Sequence, residues 1–285
     1  MPLYNLKDNL GEIEKSFVDF EPGLPTGIKT LDNMTTGLHP GELIILSGRP
    51  GMGKSSLMTD FVRHTSATNP VLVFSMEMGR KLFAQRLLAN MACVPFTRVQ
   101  RCALQDAELK RVNSALIEIG KRDIYVEGSS LLTPMSVERV IVEAKVKQKI
   151  PLSAVYIDHL HYMEMDRGVS DPLHEVTQIT KYLKAIAREY EIPLVVLCHL
   201  NRSCESRPNH KPMLSDLRES GSIEQDADQV WFLYRDSYYT RKSSGVDDAE
   251  IIVAKQRNGP VGSVKVLWKA ETMSFHEVPD ISGEW

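Results

Sequence analysis

Four apolar segments without polar alternation constrain the fold of this chain most strongly. They occupy residues 43–47, 71–75, 154–157 and 194–198 and are rich in Val, Ile and Leu. Strands that are covered on both faces of a parallel sheet have this composition. The stretches between them have helical periodicity, which groups Val137, Val140, Ile141 and Ala144 on one face and Val176, Ile179, Leu183 and Ile186 on another. We therefore predict an α/β fold, a mostly parallel sheet with helices on both faces.

The last third of the chain has a different pattern. Residues 229–234, 251–255 and 263–268 are strand-like and are separated by short turns, among them Asn258-Gly259-Pro260. Such spacing is typical of hairpins. We expect antiparallel hairpins at the C-terminal edge of the sheet.

An apolar stripe near the N-terminus predicts a short amphipathic helix over residues 3–18. Leu6, Leu10, Ile13 and Phe17 fall on one helical face, and residues 21–25, with two prolines and a glycine, interrupt the pattern. The helix either folds onto its own domain or serves as an arm that docks elsewhere. From the residues alone, both alternatives stay open.

Charge and composition exclude several classes of protein. The 285 residues carry a formal net charge of −3, so no global basic field attracts nucleic acid or an anionic membrane. Contacts with DNA or RNA must then be local or concentrated by an oligomer. We find no pattern of a signal peptide or a transmembrane span, and the four cysteines lack a metal-binding spacing. We expect reduced thiols and a cytoplasmic protein.

A glycine-rich loop gives the strongest chemical signal. Residues 48–55 read GRPGMGKS and fit the pattern G-x-x-x-x-G-K-[ST], between a predicted strand and a predicted helix. Glycines let successive N–H groups converge on a phosphate at the helix N-terminus. Lys54 would neutralise the outer phosphates, and the Ser55 hydroxyl would bind Mg²⁺. The alternative is a tight glycine turn without a ligand.

Two carboxylates and one histidine follow apolar strands. Glu77, Asp158 and His199 come at or just past the carboxyl ends of three of them, where ligands bind in open α/β sheets. Asp158 suits the Mg²⁺ shell, and Glu77 suits deprotonation of an attacking water. His199 could contact the γ-phosphate and report its loss. The alternatives are helix-capping acids and a structural histidine.

Cations cluster in two later segments. Residues 201–220 contain prolines and predict long loops, in which acidic side chains offset most of the charge of Arg202, Arg207, Lys211 and Arg218. Lys255 and Arg257 lie at the tip of a predicted hairpin and could reach the nucleotide of a neighbouring subunit. They could equally be edge-strand charges that discourage aggregation.

The motifs taken together resemble the C-terminal motor domain of DnaB-type replicative helicases, a branch of the RecA-like ATPases. The resemblance covers nearly the whole chain, and its most specific part is the block at residues 215–228. The motifs that carry the resemblance lie, in chain order, at residues 48–55, 74–78, 156–158, 200–202, 215–228 and 255–260.

The resemblance implies a RecA-like P-loop core that forms a hexameric ring, encircles single-stranded DNA and moves along it 5′ to 3′, unwinding duplex with ATP and Mg²⁺. It implies an arm at residues 1–20 that docks on a neighbouring subunit and a motor domain at 21–285. Primase or a helicase loader would be further partners.

Residue by residue, the resemblance makes Glu77 the catalytic base and Asp158 the Walker B acid, with Lys255 and Arg257 acting in trans. Nucleotide binding is assigned to Gly51, Gly53, Lys54, Ser55, Ser56 and Arg86. Metal binding is assigned to Ser55 and Asp158, and the DNA-gripping loop to Arg218, Glu219 and Gly221.

The chain departs from the family pattern in two ways. The family often has Gln where this chain has His199, and this sequence does not include the separate N-terminal domain of family members. We therefore expect either an excised motor domain or a naturally short protein, for example of phage or plasmid origin. One alternative function is a helicase-like protein that joins or blocks a host ring. Another is a recombinase or signalling ATPase of the wider RecA class.

Overall fold

The computed structural model describes residues 5–11, 14, 18, 21–129, 131–165, 172–217, 220–242 and 245–279. Among these residues, nine strands form one sheet in the order β3-β2-β4-β5-β1-β6-β7-β8-β9. The strands are β1 (Leu43–Gly48), β2 (Val71–Ser75), β3 (Ile124–Glu127), β4 (Ala154–Asp158), β5 (Leu194–His199), β6 (Gln229–Tyr234), β7 (Val246–Gln256), β8 (Gly262–Lys269) and β9 (Ser274–Glu277).

The helices of the described part follow the same chain order. They are α1 (Lys29–Thr35), α2 (Lys54–Thr65), α3 (Arg80–Ala92), α4 (Phe96–Gln100), α5 (Asp106–Ile119), α6 (Pro134–Val142), α7 (Pro172–Tyr190), α8 (Ser220–Asp226) and α9 (Asp236–Thr240). A π-helical turn, Glu143–Lys147, continues α6.

The predicted mostly parallel sheet is confirmed. Strands β3, β2, β4, β5, β1 and β6 pair in parallel, whereas β7, β8 and β9 add antiparallel pairs at the C-terminal edge. All four strands predicted from apolar runs are present, and every residue of β1, β2 and β4 is buried.

Alternate side chains of the strands feed two separate cores. In β1, Ile44 and Leu46 pack with Phe61 of α2, whereas Leu43 and Ile45 belong to the core that α6 and α7 cover. Residues that pack on both faces cannot alternate with polar ones, which explains the uninterrupted apolar runs. The predicted faces of α6 and α7 are buried, with Val137, Ile141, Ile179 and Leu183 nearly inaccessible.

The structure differs from the sequence prediction in two respects. Residues 229–234 form β6, which pairs antiparallel with β7 as predicted but also lies parallel to β1 and is buried throughout. Two strands were not predicted: β3 is an edge strand with half-buried side chains, and β9 has only four residues. Short strands without a continuous apolar pattern resemble loops in sequence.

The N-terminal arm is only partly within the described residues. Leu6–Asn9 forms a 3₁₀ turn, and Leu6 and Leu10 are exposed. Ile13 and Phe17, the other half of the predicted stripe, lie outside the described residues.

Candidate functional site

The glycine-rich loop connects β1 to α2 and requires glycine at two positions. Gly51 and Gly53 have φ of 80° and 104°, in the left-handed region. A Cβ at Gly51 would lie 3.1 Å from the ring of Tyr238, and one at Gly53 would lie 3.0 Å from the ring of Phe275. Since α2 begins at Lys54, its N-terminal N–H groups and the positive end of its dipole lie at the loop. The loop is therefore built as an anion site.

Lys54 is held inside this loop. Its Nζ donates hydrogen bonds to the carbonyl oxygens of Gly48 at 2.8 Å and Arg49 at 3.3 Å. Burial lowers the pKa of Lys54 to about 8. A phosphate beside the ammonium would favour its charged form and raise this pKa again.

Asp158 lies at the carboxyl end of β4 beneath the loop. It is 1% exposed, and burial raises its pKa to about 6, although the nearby Ser55 hydroxyl opposes the shift. Among the described residues, neither carboxylate oxygen accepts a hydrogen bond of good geometry. A buried carboxylate with unsatisfied oxygens beside a serine hydroxyl is a donor set that fits Mg²⁺.

Glu77 lies on the bend that follows β2, next to β4. Ser75 is paired in register with Asp158, and the N–H of Met76 donates to the carbonyl oxygen of Asp158 at 3.0 Å. This contact fixes the start of the bend. The side chain of Glu77 is exposed and faces the same cavity as Lys54 and Ser55.

One cavity of about 300 Å³ brings most of the predicted site together. The predicted residues that line it are Gly51, Gly53, Lys54, Ser55, Ser56, Glu77, Arg86 and His199. Arg86 comes from α3, and burial lowers its pKa. His199 ends β5 in register with Gly48 of β1, so adjacent strands deliver the histidine and the loop to one edge.

Lys255 and Arg257 lie at the opposite end of the sheet. Lys255 pairs with Val230 near the start of β6, and the N–H of Arg257 donates to the carbonyl oxygen of Asp228 at 3.0 Å. Because β6 runs parallel to β1 and has six residues, about 16–20 Å of strand separates these cations from the edge of the sheet that carries the glycine-rich loop. They do not reach the cavity of their own chain.

Both cations are engaged by the end of α8. Lys255 Nζ donates to the carbonyl oxygens of Glu224 and, at 2.7 Å, Ala227, and an Arg257 nitrogen donates to that of Gln225 at 2.6 Å. Cations here complement the negative end of the helix. The predicted hairpin is present, with its cationic tip packed against α8.

The predicted DNA-gripping loop is only partly described. Arg218 and Glu219 lie outside the described residues, and Gly221 is an exposed residue in the first turn of α8. The preceding segment, predicted as long loops, contains two 3₁₀ helices, Arg202–Ser206 and Leu214–Asp216. Buried Asp216 organises it by accepting hydrogen bonds from Arg207 and Ser203.

Several residues of the site were missed in the sequence. Arg235 donates to the carbonyl oxygen of Gly51, Arg49 pairs with Glu205, and Trp268 and Met273 line the cavity. Arg235 directly follows β6, which ends at the same edge of the sheet as β1 and its glycine-rich loop. This position is the sequence signal that could have identified Arg235. Trp268 and Met273 carry no such signal, since only the position of the antiparallel strands brings them to the cavity.

In the part of the chain that the structure describes, no helix combines the length and the apolarity that a bilayer span requires.

Comparison with known proteins agrees with this geometry. The family model for the DnaB-like helicase C-terminal domain matches residues 23–277. A replicative DNA helicase DnaB from Leifsonia xyli subsp. xyli is 38% identical over 261 residues, which cover 91% of this chain and 57% of that protein. One from Buchnera aphidicola subsp. Schizaphis graminum is 37% identical over 276 residues, 95% of this chain and 59% of that protein. The chain thus spans less than two thirds of these curated relatives.

Two solved structures are similar over almost the whole chain. The ATPase domain of G40P superposes with a TM-score of 0.91 at 28% identity and covers 97% of this chain and 100% of that one. A DnaB-like replicative helicase, described with its interactions with primase, gives a TM-score of 0.88 at 30% identity and covers 96% of this chain and 67% of that one.

Proposed function

Because this chain belongs to the family of DnaB-like helicase C-terminal domains, we propose that it is the motor of a replicative DNA helicase. In this proposal it hydrolyses ATP to move 5′ to 3′ along single-stranded DNA and unwinds duplex as a hexameric ring. The observation that carries the proposal is the single cavity lined by Lys54, Glu77 and His199, with buried Asp158 at the adjacent strand end.

The cavity has the groups that hydrolysis of a phosphoanhydride needs. Lys54 binds the outer phosphates of ATP, and the loop N–H groups and Ser56 complete the cradle. Ser55 and Asp158 hold Mg²⁺, which offsets phosphate charge when bound. Glu77 takes the proton of the attacking water, and its exposed position leaves room for that water.

Arg86 and His199 line the cavity and contact the bound nucleotide in this proposal. Arg86 is half-buried and lines the cavity, so its guanidinium can contact a phosphate bound there. His199 lies where it can hydrogen-bond the γ-phosphate or its water, and its movement on phosphate release is the sensing step that we propose.

Completion of the site by a neighbour follows from the position of Lys255 and Arg257. About 16–20 Å of strand keeps them from their own phosphate loop, so they serve the nucleotide of an adjacent subunit. A trans-acting arginine is worth about 10³–10⁵ in rate. Heterologous contacts of this kind form a ring when the rotation between subunits closes, and we propose a ring of six subunits.

DNA contact is assigned to Arg218, Glu219 and Gly221. They lie at and before the start of α8, whose C-terminal end is bound by Lys255 and Arg257. A change at a neighbour's nucleotide can thereby reach the DNA-contacting segment through one short helix. One cation per subunit facing a common axis can hold DNA backbone despite the net charge of −3.

Residues 1–20 are proposed as an arm that docks on a neighbouring subunit, and residues 21–285 as the motor domain. Leu6 and Leu10 are exposed, and α5 exposes Leu109, Leu116 and Ile117 at helical spacing. The exposed stripe of the arm and the exposed stripe of α5 in a neighbouring subunit can therefore bury each other.

Primase is a proposed partner because a similar structure is described with it. A helicase loader is a second candidate partner. We place the protein in a bacterial cytoplasm.

The decisive experiment compares the wild type with Glu77→Gln. We expect the wild type to show ATP hydrolysis stimulated by single-stranded DNA and unwinding of a fork with a 5′ tail, and the variant to bind ATP but lose both activities. Mass measurement with ATP, Mg²⁺ and DNA should show the ring. Absence of hydrolysis together with inhibition of a separate helicase would instead support the helicase-like blocking protein.

A further inference from the structure

Three histidines meet beside the nucleotide cavity. One ring nitrogen of each of His159, His161 and His199 lies within 4.8 Å of those of the other two. His159 is 3% exposed and the other two are half-buried. The proposed hydrolytic chemistry uses only His199, so two of the imidazoles have no role in it.

The cluster is built at the carboxyl ends of two neighbouring strands. His159 directly follows β4, His161 lies in the 3₁₀ turn Leu160–Tyr162, and His199 is the last residue of β5. β4 and β5 are paired neighbours in the sheet, and the rings of His159 and His199 are 4.1 Å apart between centroids. Sites on strand ends hold their ligands more precisely than sites on long loops.

The donor set selects a class of metal. Neutral imidazole nitrogens suit Zn²⁺ and neighbouring transition metals, whereas Mg²⁺ prefers oxygen ligands. Three histidines and a water complete a tetrahedral zinc shell. The Nδ1 of His159 accepts a hydrogen bond of 3.2 Å from the N–H of His161. A metal on Nδ1 would take the lone pair that accepts this hydrogen bond. A metal on Nε2 would require the ring proton to move to Nδ1, which could then no longer accept. Metal binding by His159 therefore displaces this bond in either case.

We propose that His159, His161 and His199 bind one transition-metal ion of the Zn²⁺ class, at a site separate from the Ser55 and Asp158 pair. Binding draws the ring of His199 into the metal shell. This ring also lines the nucleotide cavity, so the metal reduces hydrolysis. The inhibitory consequence rests on the proposed function, whereas the metal binding does not.

The binding test uses the chelator-treated chain and Co²⁺ as a spectroscopic probe. We expect one Co²⁺ per chain with visible d–d absorption of a nitrogen-ligated, low-coordinate site, and displacement by Zn²⁺ but not by Mg²⁺. Residues that only hydrogen-bond a metal ligand are worth about 10–100-fold in metal affinity, so removal of a ligand in His161→Gln should cost at least that much. His39→Gln is the matched control, since His39 bonds Thr36 away from the cluster.

The outcomes separate cleanly. No Co²⁺ spectrum in the wild type, or equal affinity in the wild type and His161→Gln, overturns the proposal. If His161→Gln does not fold, judged by circular dichroism, His199→Gln decides in the same way, because the family often carries Gln there.

Inhibition is tested as the ratio of ATP hydrolysis with and without Zn²⁺ at saturating Mg²⁺. We expect a fall of at least about ten-fold in the wild type and in His39→Gln, and a ratio near one in His161→Gln. A chain that binds Co²⁺ yet hydrolyses no ATP would contradict the proposed function and leave the metal site standing. Equal inhibition in all three would overturn the inhibitory role.

Discussion

A guanidinium nitrogen of Arg235 donates a hydrogen bond of 2.7 Å to the carbonyl oxygen of Gly51, in the glycine-rich loop between β1 and α2. Arg235 follows β6 and is buried, its guanidinium lies 4.9 Å from the ring centre of Trp268, and it pairs with Asp247 at 3.8 Å. The antiparallel strands β7 and β8 therefore hold Arg235 in place, and Arg235 in turn contacts the loop that follows the parallel strand β1.

We expect Arg235→Gln to weaken nucleotide binding by about ten-fold, or about 1.4 kcal/mol. Without the guanidinium, the left-handed conformation at Gly51 loses a charge-assisted contact, and the loop N–H groups converge less well on phosphate. Titration with a fluorescent ADP analogue measures the affinity.

The matched control for this prediction is Asp247→Asn. It weakens the same buried ion pair but leaves the contact between Arg235 and Gly51 in place. We expect both variants to be less stable in urea and only Arg235→Gln to lose nucleotide affinity. Equal losses of affinity would mean that general destabilisation, and not the loop contact, is responsible.

We expect Lys54 to make nucleotide binding pH-dependent. Its pKa is lowered to about 8 by burial, so in the nucleotide-free chain it loses its proton as the pH rises above 8. Bound phosphates favour the charged form, so binding takes up a proton there. Affinity for ADP should fall by up to about ten-fold per pH unit above 8.

Calorimetry in buffers of different ionisation enthalpy detects the proton directly. We expect uptake approaching one proton per ADP at pH 9 in the wild type and little at pH 7. Lys54→Ala should bind weakly at both pH values and show no such difference. Equal proton uptake at pH 7 and 9 in the wild type would refute the assignment to Lys54.

Asp60 of α2 makes a contribution to the free energy of unfolding that increases as the pH falls into mild acid. Its two oxygens accept hydrogen bonds from Asn90 at 2.8 Å and from the N–H of Phe275 at 2.7 Å, yet burial raises its pKa to about 6. The folded pKa exceeds the ordinary value of 3.8, so the native state binds the proton more tightly than the unfolded chain. This group stabilises most below pH 3.8, and its contribution is lost as the pH rises through 6.

The measurement is the difference in unfolding free energy between the wild type and Asp60→Asn, which cancels most other titrating groups. From pH 7 to pH 5 this difference should move by about 1 kcal/mol in favour of the wild type. Urea unfolding at both pH values provides it. A difference that stays constant would show that Asp60 titrates normally.

The sequence predicted what depends on local pattern. The strands of residues 43–47 and 71–75 were identifiable because burial on both faces forces continuous apolar composition. The glycine-rich loop at residues 48–55 was identifiable because the left-handed backbone at Gly51 and Gly53 requires glycine. The grouping of Glu77, Asp158 and His199 followed from the rule that parallel strands end at one edge.

Contacts that depend on tertiary position could not be predicted in this way. Trp268 and Met273 come to the cavity only because the antiparallel strands fold back beside it. The engagement of Lys255 and Arg257 by α8 is likewise invisible in sequence, where the two cations read as an open hairpin tip. Neither spacing nor periodicity encodes which distant carbonyl oxygens a cation meets.

The position of Lys255 and Arg257 predicts complementation between two inactive variants. Lys54→Ala cannot use its own cavity but still carries Arg257, and Arg257→Ala has an intact cavity but lacks the arginine. Each alone should hydrolyse ATP about 10³-fold or more slowly than the wild type. In an equimolar mixture, a random ring places an intact cavity against an intact arginine at roughly one interface in four, so about a quarter of wild-type activity should return.

A mixture of Lys54→Ala with the double variant Lys54→Ala, Arg257→Ala is the control, because no cavity in it is intact, and it should stay inactive. Arg257→Ala alone should still bind the ADP analogue with wild-type affinity, which shows that its cavity is folded. If Arg257 served its own chain, every cavity in the first mixture would lack either its lysine or its arginine. No activity would then return at any ratio of the two variants, and the proposed shared site would be wrong.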